Sequence, residues 1–298
     1  MSQIVINSPK AFIIAIRPKT LGAILCPLLI GSAFAKLENN FSWFYFINVI
    51  ICGLFLQILA NLVNDYGDFI KGGDTELRLG PPRAMQMGFM STKAMFSFMA
   101  IIMLVISILG LILVLKAGLP ILVLGILSVS LCLWYTLGPY PLAYLGFSEI
   151  FIWFFFGPLP ALGAYYLQTS SLSWPVFFAS LTPAFLSTAL ILTNNLRDIK
   201  EDQKNHKKTL AVRFGEYFSR RLLIVLLLLT FLSPIIVFIY SKNYVILLSL
   251  FDLVTLLKYF KMILYKPISK DFNLLLANIG KTLYLYGIFF AISLLYGS

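Results

Sequence analysis

Long apolar segments with few charged residues recur from one end of this 298-residue chain to the other. The hydrocarbon core of a bilayer, about 30 Å thick, needs roughly 20 apolar residues per helix. Since 60% of the residues are hydrophobic and 12% are charged, the chain holds more apolar surface than a soluble domain of this length could bury. The segments are apolar all round and do not alternate, which excludes a transmembrane β-barrel. We therefore predict an all-α membrane protein, a single domain over residues 1–298, with one bundle of about nine transmembrane helices at 12–36, 43–64, 94–116, 119–137, 147–168, 174–195, 220–240, 243–263 and 276–296.

The net charge of +11 is distributed unevenly between the two sides of the predicted bundle. If the N-terminus is cytoplasmic, nearly all Lys and Arg residues fall on the cytoplasmic side, and only Lys36, Lys116 and Lys242 fall outside. This asymmetry is the positive-inside pattern of membrane proteins. The basic excess therefore indicates topology and contact with membrane lipid, and it does not predict nucleic acid as a partner. The N-terminal residues lack the basic and apolar regions of a cleaved signal peptide, so we expect none.

Two loops, about 65–93 and 196–219, are longer than the others, and we predict that both form cytoplasmic caps after the second and sixth segments. Eight of the twelve acidic residues lie in these loops: Asp65, Asp68, Asp74, Glu76, Asp198, Glu201, Asp202 and Glu216. The remaining four are Glu38, Glu149, Asp252 and Asp271. Loops are often charged, but a general preference for polar loops does not explain the spacing of these acids.

The spacing places each acidic pair on one face of a helix end. Asp65 and Asp68 are three residues apart, and Asp198 and Asp202 are four apart. The two carboxylates of each pair therefore repel each other unless a cation is near. Neighbouring lysines are one source of positive charge, and Mg²⁺, which binds carboxylate, water and phosphate oxygens, is the one we favour. If the two pairs face each other across the bundle, they form a pocket for a diphosphate. The hydrocarbon part would lie among Phe and Leu side chains, so we predict an amphiphilic substrate with a diphosphate head and an isoprenoid tail.

The residues around both pairs resemble the aspartate-rich motifs of the UbiA superfamily of intramembrane prenyltransferases. Within it the chain resembles the MenA branch, the 1,4-dihydroxy-2-naphthoate polyprenyltransferases of menaquinone biosynthesis. The stretches that carry the resemblance are RPKTL at 17–21, NDYGD to RLGPPRAMQ at 64–86, GPYPLAYLGFSE at 138–149, FFGPL at 155–159 and NNLRDIKED to KKTLAVRFG at 194–215. The resemblance covers nearly the whole chain. It implies a UbiA-like fold in the bacterial cytoplasmic (inner) membrane, with the N-terminus and the active-site loops cytoplasmic.

The resemblance also implies a reaction, the Mg²⁺-dependent transfer of a polyprenyl group from polyprenyl diphosphate to 1,4-dihydroxy-2-naphthoate. CO2 and diphosphate are lost and demethylmenaquinone is formed. Such chemistry needs cations around the leaving diphosphate and a dry pocket with aromatic faces for the allyl cation. The predicted catalytic residues and Mg²⁺ ligands are Asp65, Asp68, Asp198 and Asp202, with Asp74 as a further candidate ligand. The predicted substrate-binding residues are Asn64, Lys71, Arg83, Asn195, Lys207, Lys208, Tyr140 and, for the acceptor carboxylate, Arg17.

Two alternatives stay open at this point. One is a related prenyltransferase with another aromatic or tetrapyrrole acceptor, and the other is a secondary transporter. Transporter sites tend to lie near the bilayer midplane, whereas these acidic pairs lie at helix ends. The sequence assigns no definite role to Glu149, Asp252 or His206. His206 stands where the family usually has a glycine, so the sequence leaves open whether the backbone there has a positive φ.

Overall fold

The computed structural model describes residues 5–72 and 79–296, and within them it contains helices and no β-strand. The candidate ligand Asp74 lies outside the described residues. The α-helices, in chain order, are α1 Pro9–Ile16, α2 Gly22–Leu37, α3 Trp43–Ile70, α4 Thr92–Ala117, α5 Leu119–Trp134, α6 Leu142–Leu145, α7 Ser148–Phe155, α8 Pro158–Thr169, α9 Trp174–Ala179, α10 Leu181–Arg197, α11 Ile199–Lys204, α12 Leu210–Leu229, α13 Leu232–Ser241, α14 Leu250–Val254, α15 Phe260–Tyr265 and α16 Phe272–Tyr296. Short 3-10 helices cover Pro18–Thr20, Tyr244–Ser249 and Leu257–Tyr259.

Six stretches are long and apolar enough to cross a bilayer, which makes the chain an integral membrane protein. They are Trp43–Ile70, Thr92–Ala117, Ser148–Thr169, Trp174–Arg197, Leu210–Ser241 and Phe272–Tyr296. A seventh, broken span consists of Pro9–Thr20 and Gly22–Leu37, bent by 52°. The predicted count of nine is not confirmed within the described residues. The helix α5 has only 16 residues, and the predicted segment 243–263 is divided into short α-helices and 3-10 turns.

The bend between α1 and α2 has a local cause. Arg17 has a left-handed backbone conformation with φ 54°, and the Pro18 that follows lacks the N–H needed to continue the helix. The side chain of Asn61, on α3, donates to the carbonyl of Ile16 at 2.8 Å and to Thr20 Oγ1 at 3.0 Å. Broken helices are tolerated in membranes where neighbouring side chains satisfy the freed backbone groups. The hydrogen bonds from Asn61 therefore stabilise a bend that a membrane helix would otherwise resist.

Two apolar clusters flank the acid-rich helix ends. The last helix, α16, packs along α2 and α10, and α10 packs against α12. This cluster includes Leu192 and Leu196 of α10. The other cluster includes Leu59 and Leu62 of α3, which packs against α4 and α5. The helices α3 and α10, which lead into the two acid-rich segments, therefore belong to different clusters, and Asp68, Asp198 and Asp202 line one cavity between them.

Gly31 marks the close approach of α2 to α8. A Cβ at this position would lie 2.0 Å from the carbonyl oxygen of Ala161, a backbone atom that cannot rotate away. We expect Gly31→Ala to destabilise the protein by about 1–3 kcal/mol through overpacking, which would appear as a lower thermal unfolding midpoint in detergent. Gly110→Ala is the matched control, because a Cβ there meets nothing within 4 Å and alanine favours a helix. Equal midpoints for the two variants would contradict the tight packing at Gly31.

Candidate active site

The last turn of α3 places Asp68 at the centre of a buried ionic cluster. Its Oδ2 lies 2.5 Å from Nη1 of Arg83, and its Oδ1 lies 2.9 Å from Nζ of Lys207. The hydroxyl of Tyr144 donates to Oδ1 at 3.1 Å, and Nζ of Lys207 lies 4.9 Å from the centre of the Tyr144 ring. Because Lys207 comes from the second long loop, its ion pair with Asp68 joins the two acid-rich segments.

Asp65, one turn before Asp68, faces the backbone of the following segment. Its carboxylate oxygens accept hydrogen bonds from the N–H groups of Ala84 at 3.0 Å and Met85 at 3.4 Å. These residues directly follow Arg83, whose Nη1 also donates to the carbonyl of Asn64 at 3.0 Å. Asp65 lines neither of the two cavities described below. This geometry favours a role for Asp65 in holding the segment that carries Arg83, rather than direct contact with a metal.

Asp198 caps the end of α10 and is held by its neighbour Arg197. The contact is bidentate, with Nε donating to Oδ1 at 2.8 Å and Nη2 donating to Oδ2 at 2.5 Å. Nη2 also donates to Oδ1 of Asn194 at 2.6 Å, and Nη1 donates to Oδ1 of Asn273 at 2.7 Å. Asn273 in turn donates to the carbonyl of Leu79 at 3.0 Å. The buried Arg197 therefore connects the end of α10 with the start of α16 and with the segment that precedes Arg83.

Asp202 lies on α11, one turn beyond Asp198. Its backbone N–H donates to the Asp198 carbonyl at 2.9 Å, so the helical spacing continues past the break between α10 and α11. Burial raises the pKa of Asp202 to about 7; the carboxylates of Asp198, Asp68 and Glu201 add to the rise, and Lys207 opposes it. The negative charge at Asp202 is therefore only partly compensated, and a bound divalent cation would compensate it.

The donor set suits Mg²⁺ when a phosphate-bearing ligand is bound with it. In residues 5–72 and 79–296, no three His, Cys, Asp or Glu side chains converge as a preformed metal cage. Mg²⁺ is usually bound by one or two carboxylates and completes its shell with water and phosphate oxygens. Asp68, Asp198 and Asp202 line one polar cavity and supply carboxylates of that kind.

Two cavities meet at this cluster. The smaller, of about 40 Å³, is the polar cavity, and its charged lining residues are Asp68, Arg83, Asp198, Glu201, Asp202 and Lys207. The larger, of about 240 Å³, is mostly apolar and is lined by residues of α2, α3, α5, α7 and α10. Five residues line both cavities: Asn64, Arg83, Tyr135, Ile191 and Asn194. An amphiphile with a charged head and an apolar tail would therefore extend past these five residues from one cavity into the other.

The other predicted substrate-binding residues fall into two groups. Asn195 lines the polar cavity, and Arg17 reaches the apolar cavity from the bend between α1 and α2. Lys71 donates to the carbonyl of Thr136 at 2.9 Å, and its Nζ lies over the Tyr144 ring at the edge of the ionic cluster. By contrast, the structure does not bring Lys208 or Tyr140 to either cavity. Lys208 is exposed and Tyr140 is 70% exposed.

Two residues without a predicted role have clear positions. His206 is exposed and has φ 55°, the left-handed conformation that a glycine would adopt there. The turn at His206 therefore keeps the backbone shape that presents Lys207 to Asp68. Asp252 is buried on α14 and lines neither cavity, and the charge that acts on it is that of Lys281 on α16.

The sequence pattern did not predict a role for Tyr135 or Arg197. The positive-inside pattern accounts for Arg197 as one more cytoplasmic charge, although this residue directly precedes a predicted ligand at the end of an apolar segment. A buried arginine there needs an acidic partner, and that requirement was the available signal. Tyr135 carried no such signal, because tyrosines at segment ends are common in the aromatic belts of membrane proteins.

Residues 24–294 match the UbiA prenyltransferase family. The chain therefore belongs to this family. The UbiA-family chain is 37% identical over 227 residues to a 1,4-dihydroxy-2-naphthoate octaprenyltransferase of Escherichia coli strain K12, and the alignment covers 74% of each chain. It is 38% identical over 213 residues to the Haemophilus influenzae protein of the same name, covering 68% of this chain and 69% of that one. The predicted family and its MenA branch are thereby confirmed.

Solved structures show that the UbiA fold extends over nearly the whole chain. A UbiA homologue from Archaeoglobus fulgidus, bound to DMAPP and Mg²⁺, superposes with a TM-score of 0.66 at 16% identity. The match covers 95% of this chain and 98% of that one. The predicted UbiA-like, all-helical fold is therefore confirmed, while the predicted ligands and substrate contacts stay predictions.

Proposed function

We infer that this chain transfers a polyprenyl group from polyprenyl diphosphate to 1,4-dihydroxy-2-naphthoate, with loss of CO2 and diphosphate, in menaquinone biosynthesis. The observation that carries this function is the junction of a polar cavity, rich in carboxylates and cations, with an apolar cavity. A prenyl diphosphate has the same division between a charged head and an apolar tail. We infer the acceptor from the names of two relatives, which are 37% and 38% identical to this chain over most of its length.

The polar cavity holds the diphosphate. Arg83 and Lys207 are buried cations in its wall, and both pair with Asp68. Arg83 has a planar fork of N–H groups that suits phosphate oxygens, while Lys207 contributes a point charge. Asp68, Asp198 and Asp202 would hold Mg²⁺ together with the diphosphate, and the bound metal would neutralise the charge that develops on the leaving group. The solved homologue bound to DMAPP and Mg²⁺ supports this assignment.

The apolar cavity holds the start of the tail and the aromatic ring of the acceptor. Arg17 and Arg83 are the cations in its wall, and Arg17, which does not line the polar cavity, would pair with the acceptor carboxylate. Phe155, Phe156 and Tyr135 contribute aromatic side chains to the lining, and aromatic faces stabilise an allyl cation. The apolar lining also excludes water, which would otherwise capture the cation and yield a prenyl alcohol.

We place both acid-rich segments and the N-terminus on the cytoplasmic face of the bacterial cytoplasmic membrane. The distribution of Lys and Arg residues supports this orientation. We also propose that the whole chain acts as one domain. The packing of α16 against α2 and α10 supports this, because it joins the two ends of the chain in one bundle.

The metal requirement can be tested in membranes that contain the protein. They should convert dihydroxynaphthoate and radiolabelled polyprenyl diphosphate to a labelled lipid. EDTA should abolish product formation and added Mg²⁺ should restore it, because the diphosphate cannot leave without charge neutralisation. Membranes from cells without the gene for this chain are the control for background activity. Turnover that persists in EDTA would exclude a metal-dependent reaction.

The acceptor can be tested in the same membranes with a second aromatic acid. We expect dihydroxynaphthoate labelled in its carboxyl group to release labelled CO2 in step with lipid formation. We expect 4-hydroxybenzoate to give no product. Prenylation of 4-hydroxybenzoate, with none of dihydroxynaphthoate, would assign the chain to another branch of the family.

A further inference from the structure

Glu149 is a buried carboxylate to which the function proposed above assigns no role. It lies in the first turn of α7 and is 4% exposed. In the part of the chain that the structure describes, no Lys or Arg lies within ion-pair distance of its carboxylate. Its side-chain partners are uncharged: Ser148 Oγ donates to Oε2 at 2.9 Å, and Asn195 Nδ2 donates to Oε1 at 2.9 Å. Buried carboxylates are usually paired with a cation, so stability alone does not explain Glu149.

The contact with Glu149 determines which end of the Asn195 side chain faces the polar cavity. A carboxylate can only accept hydrogen bonds, so the NH2 group of Asn195 faces Glu149 and the amide oxygen points away from it. Glu149 lines neither cavity, whereas Asn195, which is 6% exposed, lines the polar one. Asn195 Oδ1 accepts no hydrogen bond from the described residues, yet it retains accessible surface. The amide oxygen is therefore available to a ligand in the polar cavity.

The preceding residue, Asn194, is held in the opposite sense. Its Oδ1 accepts a hydrogen bond from Nη2 of Arg197 at 2.6 Å, so its NH2 group is the end left for a ligand. A buried cation thus orients Asn194, and a buried anion orients Asn195. The two adjacent amides therefore offer different chemistry. Asn194 offers N–H donors, which suit an anion, and Asn195 offers an oxygen, which suits a cation.

Helical spacing places the Asn195 oxygen beside two of the carboxylates that we propose as Mg²⁺ ligands. Asp198 and Asp202 follow Asn195 by three and seven residues, so the three side chains share one face, and all three line the polar cavity. Carbonyl oxygens, like carboxylates and water, are ligands that suit Mg²⁺. The amide oxygen also has no net charge. A further carboxylate at this position would repel the incoming diphosphate, whereas a neutral oxygen binds the cation without that repulsion.

We propose that Glu149 is a positioning residue, which orients Asn195 so that its amide oxygen binds Mg²⁺ together with Asp198 and Asp202. The inference rests on the proposed metal-dependent prenyl transfer. Asn195 contacts the metal, and Glu149 acts only through Asn195. The hydrogen bond to a carboxylate also polarises the amide, which makes its oxygen a stronger ligand.

Metal binding tests this inference without turnover. Mg²⁺ is titrated into purified protein in detergent with excess geranyl thiolodiphosphate, an analogue in which sulfur joins the tail to the diphosphate, and calorimetry gives the Mg²⁺ Kd. We expect Asn195→Ala to raise this Kd by about 10- to 100-fold, and Glu149→Gln to raise it by about 10-fold. Glutamine has the size of glutamate but carries an NH2 group, so it no longer dictates which end of Asn195 faces the cavity.

The double variant separates positioning from a general effect on the fold. If Glu149 acts only through Asn195, then Glu149→Gln has nothing left to disturb once residue 195 is alanine. The Kd of the double variant should therefore equal that of Asn195→Ala within about twofold. In addition, turnover by Glu149→Gln should recover when Mg²⁺ is raised above the new Kd. A distorted site would not recover in this way.

The matched controls are Glu38→Gln and Asn278→Ala. Glu38 accepts a hydrogen bond from the Tyr165 hydroxyl at 2.6 Å, and Asn278 donates to the carbonyl of Leu274 at 2.8 Å. Neither of the two residues lines the polar or the apolar cavity. Both controls should bind Mg²⁺ as the unaltered chain does.

Unchanged Mg²⁺ binding by Asn195→Ala would overturn the ligand role of Asn195. Additive losses in the double variant would overturn the positioning role of Glu149. If Glu149→Gln yields little folded protein, Glu149→Leu provides the same test, because it removes the charge and both acceptor oxygens.

Failure of the proposed function gives a different result. An unaltered chain that binds Mg²⁺ with the analogue but does not prenylate dihydroxynaphthoate refutes the acceptor and leaves the role of Glu149 intact. An unaltered chain that binds no Mg²⁺ with the analogue refutes the metal-dependent reaction and the role of Glu149 together.

Discussion

Asp68→Asn should lower turnover by at least about 10³-fold at saturating substrate, because it removes charge stabilisation at the leaving group. Asparagine has the size of aspartate but no charge, so the polar cavity loses one of the three carboxylates that we propose as Mg²⁺ ligands. Arg83 and Lys207, whose nitrogens lie 2.5 and 2.9 Å from the Asp68 oxygens, lose the anion that they share. The measurement is product formation per folded enzyme over a Mg²⁺ titration, in which the half-saturating Mg²⁺ concentration should rise.

The control for this variant is Asp271→Asn. Asp271 is exposed just before α16 and lines neither cavity, so its activity and Mg²⁺ requirement should equal those of the unaltered chain. Two buried cations without an anion also lower stability, so activity must be normalised to monodisperse protein in detergent. An Asp68→Asn variant with nearly full activity would remove Asp68 from the proposed diphosphate site.

Asp65→Asn should lower turnover by more than about 10²-fold through misplacement of a substrate contact, yet leave the half-saturating Mg²⁺ concentration unchanged. The Asp65 carboxylate accepts hydrogen bonds from two backbone N–H groups, those of Ala84 and Met85. An asparagine offers one oxygen, and its NH2 group would face a second donor. The segment that carries Arg83 should therefore shift, and Arg83 would no longer lie correctly in the polar cavity.

The Mg²⁺ titration separates two roles for Asp65. As a positioning residue it affects kcat, and the enzyme retains its Mg²⁺ affinity. As a metal ligand, the role that the sequence motif predicts, it would raise the Mg²⁺ requirement to the same extent as Asp68→Asn. The second result would show that Asp65 turns from the backbone to the metal when substrate binds.

Hydropathy predicted where the chain crosses the membrane better than it predicted where helices break. Segments such as 94–116 and 276–296 lie within long helices of the structure, α4 and α16. Segment 243–263 does not form one helix, and it contains neither Gly nor Pro to mark the breaks. Apolar content measures how well a segment suits a bilayer, while helix continuity also depends on the packing of neighbouring elements.

The aspartate pairs could be predicted from spacing, but the partner of each carboxylate could not. Asp65 and Asp68 share one face of α3, yet Asp65 binds backbone N–H groups and Asp68 binds two cations. The difference arises from segments distant in sequence that fold over the end of α3. Tyr140 and Tyr144 differ for a similar reason. Tyr144 lies on α6, which turns its hydroxyl toward Asp68, whereas Tyr140 precedes that helix and is exposed.

One face of α3 sets the depth of the whole reaction chamber. Asn61, Asn64, Asp65 and Asp68 follow one another at helical spacing, over a rise of about 10 Å. Asn61 donates to the backbone at the bend around Arg17, and Asn64 lines both cavities. Asp65 binds the backbone of the segment that carries Arg83, and Asp68 lines the polar cavity. The distance between the proposed acceptor end and the proposed diphosphate end is therefore set by the number of residues between them on a single helix. Point substitutions on this face can weaken individual contacts, but inserting or deleting one residue would rotate part of this face by about 100° and separate the two ends.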